Sequence, residues 1–381
     1  MPKDFSKLVS DRRKRKRKKF FVRLVNYVRY SEPAPRRAGG LQDCMEEGGE
    51  LLWRGEKPNP YTFRDKALGE YFRTGSKRFS EPFVLRLPGG RALGSRGDVV
   101  TPGGVVFTDV CPSMAYPRDR HHACEYGRVP TPEAFDGRLL VLSSMVPRNY
   151  FHWLADGFAR LRFIREAGVE FDAIYSNTER GFQQNFLDRA GFGGVPVLAA
   201  RNDSHIVASE IIATSMPGDD AASTYTASKD AGTYRFIQES LLGADAEQDP
   251  VDILYVQRVG RRVLKNEGAL IEALSNLGQV QVKRMELLSN AEQIASFRGA
   301  KVIVSVHGAG LVNELFCRDD ALLVEIGNPN YRNDLFFQIA QSIGLEYRLV
   351  VGRPVHAKAI DDVYGDLTVD VDEVVSVVRS R

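Results

Sequence analysis

Hydrophobic and polar positions change rhythm along this chain, and the change falls near Arg138. Beyond it, short apolar runs alternate with stretches whose apolar residues recur every three or four positions, the periods of strand and helix. "RLLVLSS" (138–144), "FDAIYSN" (171–177) and "VPVLAA" (195–200) predict strands, with "NYFHWLADGFARLRFIREAG" (149–168) and "GFQQNFLDRAGF" (181–192) as the helices between them. A further helix is expected at about 229–242, and the polar "GADAEQDP" (243–250) reads as a linker. A second alternating series follows. "VDILYVQR", "VQVKRMEL", "KVIVSVHG", "ALLVEIG" and "EYRLVVG" predict strands, and "NEGALIEALSNLG", "NAEQIASFRGA", "LVNELF" and "DLFFQIAQSIGL" predict helices, with "DVDEVVSVVRSR" closing the chain as a last helix. This is βαβ order twice over. It predicts an α/β protein of two Rossmann-like lobes, 31–245 and 246–381, facing a cleft, with the last helix packing back on the N-terminal lobe. Residues 31–138, rich in Pro, Gly and Arg, are expected to be irregular β and loop, with short strand-like runs at "PFVLRL" and "GVVFTDV".

Charge changes the picture at the N-terminus. The chain has 381 residues, 43% of them hydrophobic and 27% charged, and a net charge of +3. That balance is globular. Twelve Lys/Arg against two Asp in residues 1–30 place about +10 there, which leaves −7 for the rest. Eight consecutive cations, Arg12 to Lys19, run into "FFVRLVNYVRY", where Phe20, Phe21, Leu24, Val25 and Val28 share one helical face. A solubilising arm and a nucleic-acid arm compete with an anchor on an anionic membrane surface through residues 12–29. The amphipathic segment favours the anchor, and nucleic acid is the weaker reading. That segment is too short and interrupted to span a bilayer or to serve as a signal-peptide core. The four cysteines include no Cys-x-x-Cys pair, so no disulfide framework or zinc ribbon is indicated. Cys111, His121, His122 and Cys124 are the remaining metal candidates, at a spacing that matches no common zinc site.

Three stretches carry chemistry. In "KVIVSVHGAGLVNELF" (301–316) a strand enters a Gly-Ala-Gly turn and then a helix, which offers main-chain amides to a phosphate. His307, Gly308, Ala309, Gly310 and Asn313 lie there, and Glu325, at the end of the next strand, is placed to bind ribose. A NAD-dependent oxidoreductase is the enzyme rival, although Asn313 stands where that fingerprint wants a third glycine. In "LYVQRVGRRVLKNEGAL" (254–270), Arg258, Arg261 and Arg262 follow a strand, where guanidinium groups can hold a diphosphate in place of a divalent metal. Asn266 and Glu267 open the next helix as cap and dipole partner. In "PRNYFHWLADGFARLRFI" (147–164), Asn149 can cap a helix, while His152 and Asp156 lie four apart as a base and its orienter. A non-catalytic regulator that binds nucleotide or polysaccharide is the rival outside catalysis.

Together "NYFHWLADGFARL", "LYVQRVGRRVLKNE" and "HGAGLVNELF…LLVEIG" resemble the signature stretches of glycosyltransferase family 61, over roughly residues 140–330. The resemblance implies a two-lobed GT-B architecture, a nucleotide-sugar donor that is usually UDP-linked, inversion at the anomeric carbon, and no metal or other cofactor. It places Arg258, Arg262, His307, Gly308, Ala309, Gly310 and Asn313 on the donor diphosphate and sugar, and Glu325 on the ribose. His152 or Asp156, from the other lobe, would be the catalytic base. With no signal anchor ahead of the catalytic part, the expected setting is cytoplasmic, peripheral on the inner face of the plasma membrane. The expected acceptor is a growing, lipid-linked surface glycan of capsule or lipopolysaccharide.

Overall fold

The computed structural model describes residues 22–59, 65–72, 79–113, 120–144, 146–218, 229–243, 250–355 and 363–381. The basic run at 12–19 and most of the expected linker lie outside them. The protein is mixed α/β with several sheets. Ten strands form the largest: β1 (Arg37–Gly39), β2 (Glu50–Arg54), β3 (Phe83–Pro88), β4 (Arg91–Leu93), β5 (Asp98–Val100), β6 (Val105–Phe107), β7 (Glu133–Val141), β8 (Ala173–Ser176), β9 (Val197–Ala199) and β10 (His205–Thr214). The main path runs β9-β8-β7-β10-β4-β5-β6-β1, with β3 also on β10 and β2 on β3. Strands β9-β8-β7-β10 form a parallel array and β1 pairs parallel with β6, while the flank from β10 through β4 and β5 to β6 is antiparallel.

This corrects the expectation that residues 31–138 form an irregular β and loop start to a Rossmann-like lobe. Residues 37–107 supply six strands of the same sheet. They are too short for alternation to show, and β5 and β6 are buried on every residue. Gly104, at φ 90°, closes the turn between β5 and β6 by donating to the Thr101 carbonyl. The ten-residue β10 escaped the pattern because a register shift between Ala208 and Glu210 interrupts its alternation.

The second large sheet is wholly parallel: β11 (Val251–Val256), β12 (Val280–Lys283), β13 (Ala300–Val306), β14 (Leu322–Gly327) and β15 (Glu346–Val351), in the order β12-β11-β13-β14-β15. The Val/Ile/Leu runs of its three inner strands, β11, β13 and β14, are buried on both faces, while the edge strands β12 and β15 are partly exposed. Since β12 and β13 lie on opposite sides of β11, the strand order reverses there. Loops leaving β11 and β13 at such a switch point diverge and open a crevice at the carboxyl edge.

The last helix, Val371–Arg379, does not pack back on the N-terminal half. Val374 and Val378 join Leu270, Leu274, Val324 and Val350 in a core beneath the parallel sheet. Asn266, expected as a helix cap, pins this segment by pairing both amide groups with the main chain of Val369. A different apolar cluster crosses between the two halves, uniting Phe158, Phe186 and Tyr234 with Phe297, Phe316 and Phe336.

Residues 22–29 are helical, with Leu24, Val25 and Val28 exposed, Val28 at 86%. Asn26 faces the protein and donates to the Tyr126 carbonyl. No described helix is long and apolar enough to cross a membrane.

Candidate active site

A cleft of about 590 Å³ opens at the switch point, a volume suited to a drug-sized ligand. The loops after β11, β12 and β13 form one wall, and Asn149, Phe151 and His152 of the N-terminal half form another; Tyr331, Asn333 and Phe336 complete it.

Two guanidinium groups dominate the first wall. Arg258 and Arg262 both donate to the His307 carbonyl, at 2.9 and 3.1 Å. Burial first, then the proximity of Arg262, pulls Arg258 down to about 10, and burial also lowers Arg262. Two half-buried guanidinium groups share one neutral oxygen, with Glu286 acting on Arg258 and Glu325 on Arg262, and burial still outweighs both acids, which favours an anionic ligand. Arg262 is held at φ 55°, the one non-glycine residue at positive φ among those described, with its guanidinium 4.7 Å from the centre of the Tyr331 ring. A Cβ built on Gly308 would land on the Arg258 guanidinium, so a larger residue here would displace that side chain from the His307 carbonyl. Gly308, Ala309 and Gly310 line the cleft where the 3-10 helix Ala309–Phe316 begins.

His307 lines the same wall. Its Nδ1 lies 2.5 Å from Glu325 Oε1, and the Tyr347 hydroxyl donates to Glu325 Oε2 at 2.9 Å. Burial, then Glu325, raises Tyr347 well above its usual value, so it stays a donor. Two site assignments need correction. Glu325 is 1% exposed with both oxygens engaged, so it orients His307 and does not reach a ribose. Asn313 is fully buried, accepting from Tyr150 at 2.9 Å and donating to Gln293 and to the Gly310 carbonyl, so it braces the turn from behind.

On the facing wall, Asn149 caps the helix that carries His152, accepting from the His152 amide at 3.2 Å. The helical run Tyr150–Ala167 contains a π segment, Trp153–Gly157. Such wide turns recur at functional sites. Gly157 is needed because a Cβ there would come 2.7 Å from the Leu142 carbonyl oxygen. His152 Nδ1 lies 2.9 Å from Asp156 Oδ2, and Lys229 Nζ lies 2.6 Å from Asp156 Oδ1. Burial pushes the Asp156 carboxyl up, but Lys229 and His152 outweigh it and hold it below its usual value. Asp156 is fully buried away from the cleft, whereas His152 lines it. Of the two candidates for the base, only His152 lines the cleft.

Sequence reasoning missed Lys229, Tyr150, Tyr347 and Tyr331. None stands near its partner in the chain, and the only advance signal was an unexplained Lys at the start of a helix.

The metal candidates end as a hydrogen-bonded core. Cys111, His121 and Asp98 come together, buried. His121 Nε2 meets the Cys111 carbonyl at 2.8 Å, and its Nδ1 accepts from the Ala123 amide. His122 lies between Ser113 and Asp98, at 2.6 and 3.1 Å. The Cys111 thiol, pushed well up by burial, donates to the Phe107 carbonyl at 3.0 Å. Both His121 nitrogens and the Cys111 thiol are thus engaged within the protein.

Residues 150–324 match the family described as Glycosyltransferase 61, an interval that holds His152, Asp156, Arg258, Arg262 and the turn at 307–310. The chain carries a glycosyltransferase family 61 domain. No curated protein matches the chain. The glycosyltransferase is an enzyme of glycan chemistry, for which a nucleotide-sugar donor and a glycan acceptor are the general reactants. The dinucleotide oxidoreductase reading gives way to the family match, and Glu325, the acid it needed on the ribose, is buried.

Proposed function

We propose that this glycosyltransferase inverts the anomeric carbon of a UDP-linked sugar within a GT-B arrangement, using His152 as base and Arg258 and Arg262 as the partners of the leaving diphosphate. The acceptor hydroxyl gives its proton to His152 Nε2, since Nδ1 faces Asp156. Its oxygen forms a bond to the anomeric carbon while the bond from that carbon to the diphosphate oxygen breaks. The electron pair leaves with UDP, whose growing charge meets the two guanidinium groups and the Gly308–Gly310 turn. In this scheme the guanidinium pair fills the role a divalent cation has elsewhere. One observation carries the reading: a histidine backed by a carboxylate and a cationic, glycine-floored turn line opposite walls of a single cleft.

Thermal shift measurements test it with UDP, a panel of UDP-sugars and NAD, each with and without EDTA. UDP should raise Tm equally in both conditions, and His152→Ala should keep that shift while losing turnover. Stabilisation by NAD alone, or loss of the UDP shift in EDTA, overturns it.

The same proposal places the enzyme on the inner face of the plasma membrane, building a lipid-linked capsule or lipopolysaccharide glycan. Support comes from the helix at 22–29, whose apolar residues point outward, immediately after eight consecutive cations. Deleting residues 1–30 should abolish binding to anionic liposomes and leave turnover of a soluble acceptor intact. Undiminished liposome binding refutes the anchor.

A further inference from the structure

The cleft contains one carboxylate among its described lining residues, and it is not the one sequence reasoning chose. Glu286 sits in the short 3-10 turn Met285–Leu287 that follows β12. An acid beside Arg258 and Arg262 opposes the binding of an anion there, and its charge acts on Arg258 directly. It must therefore serve a part of the ligand that donates hydrogen bonds.

Position identifies that part. If the diphosphate lies at the loops after β11 and β13, the attached ribose extends towards the end of a neighbouring strand. On one side is β14 with Glu325, whose two oxygens are already taken by His307 and Tyr347. On the other is β12, whose carboxyl end presents Glu286 with its side chain 48% exposed. Parallel α/β sheets place the acid that holds ribose hydroxyls at this end of the second strand. The partner of Glu286 is Arg284, two residues away at 2.9 Å, an exposed local pair of little energetic weight. Carboxylate oxygens of this kind match two vicinal hydroxyls, each of which donates to one oxygen.

We propose that Glu286 accepts hydrogen bonds from the ribose 2′ and 3′ hydroxyls of the donor nucleotide, so that the cleft selects ribonucleotides whatever their base. This rests on the donor reading of the cleft given above. Calorimetric titration of the full chain tests it with UDP, 2′,3′-dideoxy-UDP and inorganic pyrophosphate. Wild type should prefer UDP over the dideoxy analogue by about 30-fold or more, the scale of two hydrogen bonds to a charged group. Glu286→Gln, at an exposed position that should not disturb folding, should narrow that preference to about 5-fold or less and leave pyrophosphate affinity equal or higher. Tight UDP binding without a hydroxyl preference in wild type, an unchanged preference in Glu286→Gln, or a parallel loss of pyrophosphate affinity overturns the ribose assignment alone. Failure of UDP, CDP, GDP and ADP all to bind overturns the donor reading and this inference with it.

Discussion

The two walls of the cleft each present a histidine backed by a buried carboxylate, and the pairs differ in their third member. Asp156 has a cation, Lys229, on its second oxygen; Glu325 has a neutral hydroxyl, Tyr347, on its second. Asp156 therefore does not rely on His152 to balance its charge, and His152 can gain and lose a proton without leaving a buried anion unmatched. Glu325 meets His307 and Tyr347 directly, and its charge also acts on Arg262, which donates to the His307 carbonyl. In the proposed reaction the same motif would serve proton transfer on one wall and fixed electrostatics on the other, and the difference lies in the third residue, Lys229 or Tyr347.

The sharpest way to break this comparison is to truncate each histidine. His152→Ala should lower kcat by about 10²–10⁴-fold with donor affinity nearly unchanged, the usual scale for loss of a general base. His307→Ala should weaken donor binding first, by about 10-fold or more, as expected when the buried Glu325 beside the cationic turn loses its hydrogen-bond partner. Steady-state kinetics paired with UDP titrations separate the two, and an exchange of these signatures would reverse the assignment of the walls.

The next effect is on stability. Lys229→Met leaves the buried Asp156 without its cation and should cost about 3–5 kcal/mol, measured by chemical denaturation. Because the Asp156 carboxyl is held below its usual value, its contribution is present above pH 3.8 and is lost as pH falls through the folded value. Removing Lys229 raises that folded value, so acid unfolding should begin at higher pH in the variant. An acid limb identical to wild type would show that Lys229 does not balance Asp156.

A smaller effect belongs to Glu314, fully buried behind the Gly-Ala-Gly turn with no hydrogen-bond partner for either oxygen among the described residues. Burial first, then the nearby Glu325, raises it well above 4.5. A carboxyl raised in the folded state favours unfolding progressively as pH rises from its unfolded value. Glu314→Gln should thus match wild type near pH 4.5 and exceed it in Tm by a few degrees at pH 8, an increase of about 1–2 kcal/mol. Equal melting at both pH values would mean that Glu314 has a counter-charge and that the Glu325 wall is not isolated.

The parallel sheet was legible from sequence because its strands are continuous Val/Ile/Leu runs separated by amphipathic helices, and every expected strand from 251 to 351 is present. The antiparallel flank was legible only in part: β3 and β6 fall in the strand-like runs "PFVLRL" and "GVVFTDV", but three-residue strands such as β4 and β5 carry no period, and the bulge in β10 hides its alternation. At the site, local spacing revealed His152 with Asp156, the arginines after β11, and the turn at 307–310. It misled at Glu325 and Asn313 because position beside a motif says nothing of which way a side chain points. Lys229 and Tyr347 come from distant segments, so only the folded chain brings them to their carboxylates.

The apolar cluster that joins Phe158 and Phe186 to Phe297 and Phe336 runs without a break beneath both walls. Neither half can therefore be excised as an autonomous cassette, for each would be left with a raw aromatic surface.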